Sequence, residues 1–277
     1  MPTSLEYRTI ISPAELKTRL AQPNWRVIDC RFSLADTDAG RHAYRTSHIP
    51  GAVYAHLDSD LSGPVIAGTT GRHPLPSPET FAARLSSWGV GQDVQVVAYD
   101  DKGGAIASRL WWMLKWMGHE AVAVLDGGWP AWVEEGFPVE SVAVMPAPRR
   151  FVPNVRGELA VDGAFVAESI ETGRCTLVDA RAAERYRGEH EPIDPVAGHI
   201  PTAINRPFSE NLNPETGRFN PPDLLRERFR DLGEIIVYCG SGVTAAHDIL
   251  ATQIAGLPMP RLYAGSWSDW ITRPSKR

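Results

Sequence analysis

Val27-Ile28-Asp29-Cys30-Arg31 returns as Leu177-Val178-Asp179-Ala180-Arg181, and three more blocks repeat outward from it in the same order. Ser47-His48-Ile49-Pro50-Gly51-Ala52 returns as Gly198-His199-Ile200-Pro201-Thr202-Ala203. Val96-Val97-Ala98-Tyr99-Asp100 returns as Ile235-Ile236-Val237-Tyr238-Cys239. Asp126-Gly127-Gly128-Trp129-Pro130-Ala131-Trp132 has a looser counterpart in Ala264-Gly265-Ser266-Trp267-Ser268-Asp269-Trp270. The offsets run from about 138 to about 151 residues by direct count. Solenoid repeats span only ~20–50 residues, so the pattern is one domain duplicated, at a size usual for single domains.

Each copy has the same coarse grammar. An apolar run ends in Asp (27–29, 177–179), and the His-Ile-Pro turn and a short strand follow (52–54, 203–205). A Val/Ile-rich run comes next (94–99, 234–238), then a small-residue turn, an apolar helix (105–116, 244–254) and a last short strand (121–125, 260–263). Continuous apolar runs separated by helices are the mark of buried parallel strands. The expected fold is therefore α/β, two tandem domains, each a mainly parallel sheet flanked by helices. The expected division is 1–140 and 156–277, joined by a connector at 141–155. There Met145-Pro146-Ala147-Pro148-Arg149-Arg150 is stiffened by proline.

Composition narrows the function. Of 277 residues, 43% are hydrophobic and 22% charged, as in an ordinary globular protein. A net charge of −5 without a long basic run argues against nucleic acid as a partner. No apolar stretch approaches the ~20 residues of a bilayer span. Met1-Pro2-Thr3-Ser4-Leu5-Glu6 has neither the basic nor the apolar part of a secretory signal. The three cysteines, Cys30, Cys175 and Cys239, are too few and odd in number for a disulfide framework, and they suit a reducing, cytoplasmic setting. No CxxC or HxxxH pair supports a metal site.

The copies diverge where chemistry is expected, beyond the carboxyl end of the Val/Ile-rich strand. The first has Asp100-Asp101-Lys102-Gly103, the second Cys239-Gly240-Ser241-Gly242-Val243-Thr244-Ala245. Glycines at 240 and 242 allow the turn to aim its N–H groups inward. With the helix dipole that follows, they form an anion nest. Such a setting favours thiolate and would also hold a persulfide anion. Phosphoester hydrolysis is disfavoured. It needs an arginine six places after the cysteine to clamp phosphate, and that place is Ala245.

Taken together, the Asp-X-Arg and His-Ile-Pro blocks, the Gly-Gly-Trp and Gly-Ser-Trp endings and the cysteine loop resemble the tandem-domain rhodanese family, over about residues 10–270. The resemblance implies ping-pong sulfur transfer. A small-molecule donor loads sulfane sulfur on Cys239, and cyanide, a thiol or a sulfur-accepting protein removes it, with no cofactor. It also implies a silent first copy, in keeping with Asp100. The family's thiosulfate branch carries a basic loop of the type Cys-Arg-Lys-Gly-Val-Thr. Its mercaptopyruvate branch carries Cys-Gly-Ser-Gly-Val-Thr, the sequence of residues 239–244 here. By the same resemblance Gly240, Gly242, Val243 and Thr244 cradle the substrate, and Arg185 binds it. The second arginine of the mercaptopyruvate branch, in a Glu-Pro-Arg element, is replaced here by Ile193. Arg187 does not match that position. A Ser-His-Asp set maps onto Ser241, His73 and Asp58, with His73 on a loop of the first domain. His48 and His199 are expected to anchor their turns, and Cys30, Cys175, Trp111, Trp112 and Trp116 to pack. A non-catalytic rhodanese-like module is the alternative class, although such modules usually lack the loop cysteine.

Overall fold

The structure is a computed structural model that describes residues 7–273. Residues 1–6, which carry the targeting reading above, and residues 274–277 lie outside the described chain. It divides into two compact units. The first holds the chain up to Leu61, Pro76–Arg156 and Thr216–Arg218; the second holds Ser62–Leu75, Gly157–Glu215 and the chain from Phe219 on.

In the first unit the elements run β1 (Ile10–Ile11), α1 (Pro13–Lys17), β2 (Trp25–Asp29), α2 (Ala39–Thr46), β3 (Val53–Tyr54), α3 (Leu57–Asp60), α4 (Pro78–Ser87), β4 (Gln95–Tyr99), α5 (Ala107–Trp116), β5 (Val122–Leu125) and α6 (Gly128–Glu134). The strands pair in the order β1-β5-β4-β2-β3, parallel throughout. The second unit runs β6 (Ala160–Val161), α7 (Gly163–Thr172), β7 (Thr176–Asp179), α8 (Ala183–Tyr186), β8 (Ile204–Asn205), α9 (Pro222–Phe229), β9 (Ile235–Tyr238), α10 (Ala245–Ile254), β10 (Arg261–Tyr263) and α11 (Ser266–Trp270). Its order, β6-β10-β9-β7-β8, is the same and again all parallel. The α/β expectation thus holds in both units. The central strands β4 and β9 carry Val/Ile runs because both faces of a helix-covered parallel sheet are buried. Helix starts follow local chemistry: Ser77 and Asp162 accept the Thr80 and Phe165 N–H groups to cap α4 and α7. Among the described residues no helix is long and apolar enough to cross a membrane.

The repeated blocks meet in space within each unit. Arg31 is 2.6 Å from Asp29 Oδ2, donates to the Ser47 carbonyl at 2.7 Å, and lies 4.5 Å from the centre of the Trp129 ring. The Tyr99 hydroxyl donates to Asp29 Oδ2 and accepts the Ile49 N–H. In the second unit Arg181 is 2.6 Å from Asp179 Oδ2, donates to the Gly198 carbonyl at 2.6 Å, and lies 5.0 Å from the Trp267 ring centre. Tyr238 accepts the Ile200 N–H at 3.0 Å. Asp-X-Arg, His-Ile-Pro, strand-end Tyr and turn Trp are therefore one buried clamp, built twice. His48 and His199 complete it. Each bonds a Tyr carbonyl through Nδ1 and stacks on that Tyr ring, Tyr44 and Tyr186 respectively.

Two segments differ from the sequence reading. The proline-rich stretch at 141–155 has no helix or strand, yet it is bound along the first unit. Arg149 N–H donates to the Ser86 carbonyl, Phe151 is buried, and Asn154 N–H donates to the Met117 carbonyl. Ser62–Leu75, placed in the first domain by the repeat, packs as part of the second unit. The cause is a close backbone approach. A Cβ on Gly71 would collide with the Gly265 carbonyl, and Arg72 N–H donates to Ser268 Oγ at 3.1 Å.

Removing one partner of a buried pair strands the other's charge. Arg181→Met is expected to lower the unfolding free energy by about 3–5 kcal/mol in urea titrations. A loss below about 1 kcal/mol, the value of a surface pair, would contradict the clamp.

Candidate active site

Cys239 follows the last residue of β9 and is 2% exposed. Its Sγ accepts the Gly242 N–H at 3.2 Å, so the loop curls back onto the sulfur. Gly242 has φ +75°, and a Cβ there would strike the Ala264 carbonyl, so glycine is required twice over. The turn after β10 fixes the loop from the other side. Cys239 N–H donates to Ser266 Oγ at 3.1 Å, Trp267 N–H to the Cys239 carbonyl at 3.0 Å, and Ser268 N–H to the Gly240 carbonyl at 2.9 Å. Ser266 adopts φ +54°, a left-handed conformation that costs a non-glycine residue about 1–2 kcal/mol. Its hydroxyl bonds to Cys239 N–H and the Tyr263 carbonyl offset that cost.

His73 and Ser241 share a hydrogen bond, Nδ1 to Oγ, at 2.8 Å, and both are buried. Because Ser62–Leu75 belongs to the second unit, Cys239, Ser241 and His73 lie within one compact unit, not on a loop of the first. Asp58, the third member expected, lies exposed in α3 of the first unit. Val243 is buried, and Thr244 precedes the first residue of α10.

Arg185, on α8, heads a chain of alternating charge. Arg181 and Arg185 share Glu191, at 3.3 Å and 2.7 Å, and Arg185 continues to Asp194 at 3.2 Å. Asp194 in turn holds Arg72. Glu191 also accepts the N–H groups of Ile193 and Asp194, which folds its own turn and leaves Ile193 exposed. The Arg72 and Arg185 guanidiniums both lie over Gly240. A Cβ there would be 2.9 Å from Arg72 Nη2 and 3.5 Å from Arg185 Nη1. Burial pushes the Arg72 guanidinium pKa down; a thiolate at Cys239 opposes this, and Arg185 adds to it. Arg187 pairs instead with Glu189 on the surface. Sequence reasoning missed Arg72, Glu191 and Asp194. The one signal for Arg72 was its place beside His73.

In the first unit the equivalent loop is filled by its own side chain. Asp100 accepts four backbone N–H groups, from Lys102 and Gly104 on one oxygen and Ile106 and Ala107 on the other, at 2.7–2.9 Å. Trp129 N–H donates to the Asp100 carbonyl as Trp267 does to that of Cys239. The nest is common to both copies, and its occupant differs. Cys30 is fully buried, and burial beside Asp29 pushes its thiol pKa well up, as befits a packing residue. Cys175 is half-buried against the second core. Trp111, Trp112 and Trp116 are buried on α5.

Behind the loop, α10 carries an unusual acid. Asp248 is fully buried. Asn211 donates to its Oδ1 at 2.6 Å, and its Oδ2 has no hydrogen-bond partner among the described residues. Burial pushes its pKa up to about 8 despite the Asn211 bond and the Arg228 charge, with Asp179 and Glu210 adding to the rise.

A model of the rhodanese-like domain matches residues 12–135 and 164–273. The chain is 47% identical to a probable 3-mercaptopyruvate sulfurtransferase of Pseudomonas aeruginosa, over 96% of each chain. It is 39% identical to a putative thiosulfate sulfurtransferase of Mycobacterium tuberculosis, over 97% of this chain and 96% of that one. The crystal structure of the 3-mercaptopyruvate sulfurtransferase SseA of Escherichia coli superposes with a TM-score of 0.83. The sequences there are 32% identical, with 95% of this chain and all of that one covered.

Asp100→Ala removes a buried acceptor of four N–H groups and is expected to lower stability by about 1–3 kcal/mol. Turnover should change by less than about twofold, since the carboxylate can carry no sulfur. A turnover loss in a folded variant would make the first loop active. A second expectation concerns Asp248. Its folded pKa is raised above the unfolded value, so wild-type stability falls as pH rises from the usual carboxylate range to about 8. Asp248→Asn keeps the Oδ1 acceptor and cannot ionise. Its advantage in urea titrations should therefore grow from pH 5 to pH 8. An equal gap at both pH values would mean that Asp248 does not stay protonated.

Proposed function

The chain belongs to the rhodanese family and is a sulfurtransferase, and from that premise we propose that it moves sulfur from 3-mercaptopyruvate to cyanide or a thiol through a persulfide on Cys239. The observation that carries this reading is the uncharged loop curled onto Cys239 Sγ by the Gly242 N–H at 3.2 Å, with Ser241 bonded to His73 beside it. The Cys239 thiolate attacks the donor sulfur. The carbon–sulfur bond breaks, its electron pair goes to the donor carbon, and an enolate forms. The proton lost by the donor thiol passes to that carbon, giving pyruvate and leaving Cys239 as a persulfide anion. Ser241, relayed by His73, moves this proton. Backbone donors of Gly240, Gly242, Val243 and Thr244 stabilise the developing charge. Arg185 binds the donor carboxylate. Cyanide or a thiolate then takes the outer sulfur as thiocyanate or a new persulfide, and the Cys239 thiolate returns.

The first copy is silent in this reading. The unpaired cysteines fit a reducing, cytoplasmic compartment, and a protein thiol could serve as acceptor. A second reading, thiosulfate as donor, draws on Arg72, whose guanidinium beside Gly240 supplies a cation that the loop sequence lacks.

Cys239→Ser should abolish transfer while leaving the fold intact, and mass spectrometry should find one added sulfur on the Cys239 peptide of donor-treated wild type. Turnover by the serine variant would end the reading; sulfur found on Cys30 or Cys175 alone would relocate the site. The donor is decided by kcat/KM for both compounds at equal ionic strength, in wild type and Ser241→Ala. Mercaptopyruvate should be preferred, and Ser241→Ala should erase the preference. Preference for thiosulfate, unaffected by Ser241→Ala, establishes the second reading.

A further inference from the structure

The donor subsite holds one arginine by sequence, yet two guanidiniums face it. Arg72 and Arg185 come from different segments and are joined by Asp194, whose two oxygens each take one of them. Arg72 gives Nη1 to Asp194 and places Nη2 over Gly240; Arg185 gives Nη2 to Glu191 and Asp194 and places Nη1 over the same residue. The one position beneath both has no side chain, and it adjoins the nucleophile. A planar carboxylate is an anion that guanidinium N–H groups hold well.

We propose that Arg72 is the second substrate-binding arginine of this enzyme and takes the carboxylate of an α-keto acid donor together with Arg185. The role that the Glu191–Ile193 turn does not fill thus passes to Ser62–Leu75. This rests on the mercaptopyruvate reading. Like-charged guanidiniums repel each other; Asp194 bonds to both, and Glu191 to Arg185. A carboxylate over Gly240 would relieve that repulsion further. Both Glu191 oxygens are already engaged, by Arg181, by Nε and Nη2 of Arg185 and by the N–H groups of Ile193 and Asp194, so Glu191 does not take that place.

The test measures KM and kcat for 3-mercaptopyruvate, and binding of pyruvate, the sulfur-free product with the same carboxylate, by calorimetry. Arg72→Gln is expected to raise KM and weaken pyruvate about 10- to 100-fold, with kcat changed by less than about threefold, because a carboxylate clamp binds ground state and transition state alike. Arg72→Lys should recover only part of the loss, since an ammonium lacks the planar fork. Gly240→Ala keeps every charge but pushes the end of the Arg72 side chain aside, and should weaken pyruvate in the same direction. Circular dichroism checks that each variant is folded. If Arg72→Gln leaves KM and pyruvate binding within about twofold while Arg185→Gln weakens both, Arg72 is overturned and the donor reading stands. If wild type uses thiosulfate and neither uses mercaptopyruvate nor binds pyruvate, the donor reading falls and the Arg72 assignment falls with it.

Discussion

The buried Asp179–Arg181 pair is the interaction on which the second unit's chemistry depends. Both side chains are almost wholly removed from water, where an ion pair is tolerated only if its remaining hydrogen-bonding groups are satisfied. They are satisfied by reaching outward. Arg181 ties the end of β7 to the Gly198 carbonyl in the turn before β8, and it faces the Trp267 ring in the turn after β10. That same turn holds Cys239 through Ser266 and Trp267. The pair also begins the chain of charges through Glu191, Arg185 and Asp194 to Arg72. One buried pair therefore sets the strand ends, the loop and the guanidiniums in a common frame.

Duplication separates what the fold needs from what the reaction needs. The Asp29–Arg31 clamp repeats the pair, the carbonyl contact and the tryptophan almost bond for bond. What changes is the occupant of the nest. In the first copy a carboxylate saturates its own loop with four short bonds, which leaves a stable, closed turn. In the second, a thiol of Cys239 takes Gly242 N–H at 3.2 Å, and a left-handed serine replaces the glycine that the first copy uses at position 128.

Most of the fold could be read from the chain because buried parallel strands announce themselves as apolar runs, and the repeat doubled that signal. β1 and β6 escaped notice because two residues leave no period to detect and, unlike the equally short β3 and β8, neither adjoins one of the repeated blocks. The loop cysteine was legible from its place after the Val/Ile-rich strand, and Ser241, His73 and Arg185 through the resemblance; all four lie in one unit. The allegiance of Ser62–Leu75 was not legible. It depends on Gly71 fitting against the Gly265 carbonyl and on one bond from Arg72 N–H to Ser268, contacts with no periodicity and no local propensity. Arg72 was hidden for the same reason: an isolated arginine acquires meaning only from what the backbone brings beside it.

The charge balance of the network suits the proposed ping-pong cycle. Three guanidiniums alternate with three carboxylates from Asp179 to Arg72, so the resting frame is close to neutral. A thiolate and a persulfide anion each carry one negative charge. In the proposed cycle, exchange between thiolate and persulfide anion at Cys239 would therefore change the length of the side chain and leave its charge unchanged. A rigid frame of buried ion pairs would oppose a reaction that altered local charge, because each buried pair would have to readjust in a medium of low dielectric. It does not oppose one that only moves a charge outward by one sulfur atom. The demand falls instead on the loop itself, and Gly240, whose missing side chain lets the Arg72 and Arg185 guanidiniums come close to the residue beside the nucleophile, is where the sequence meets it.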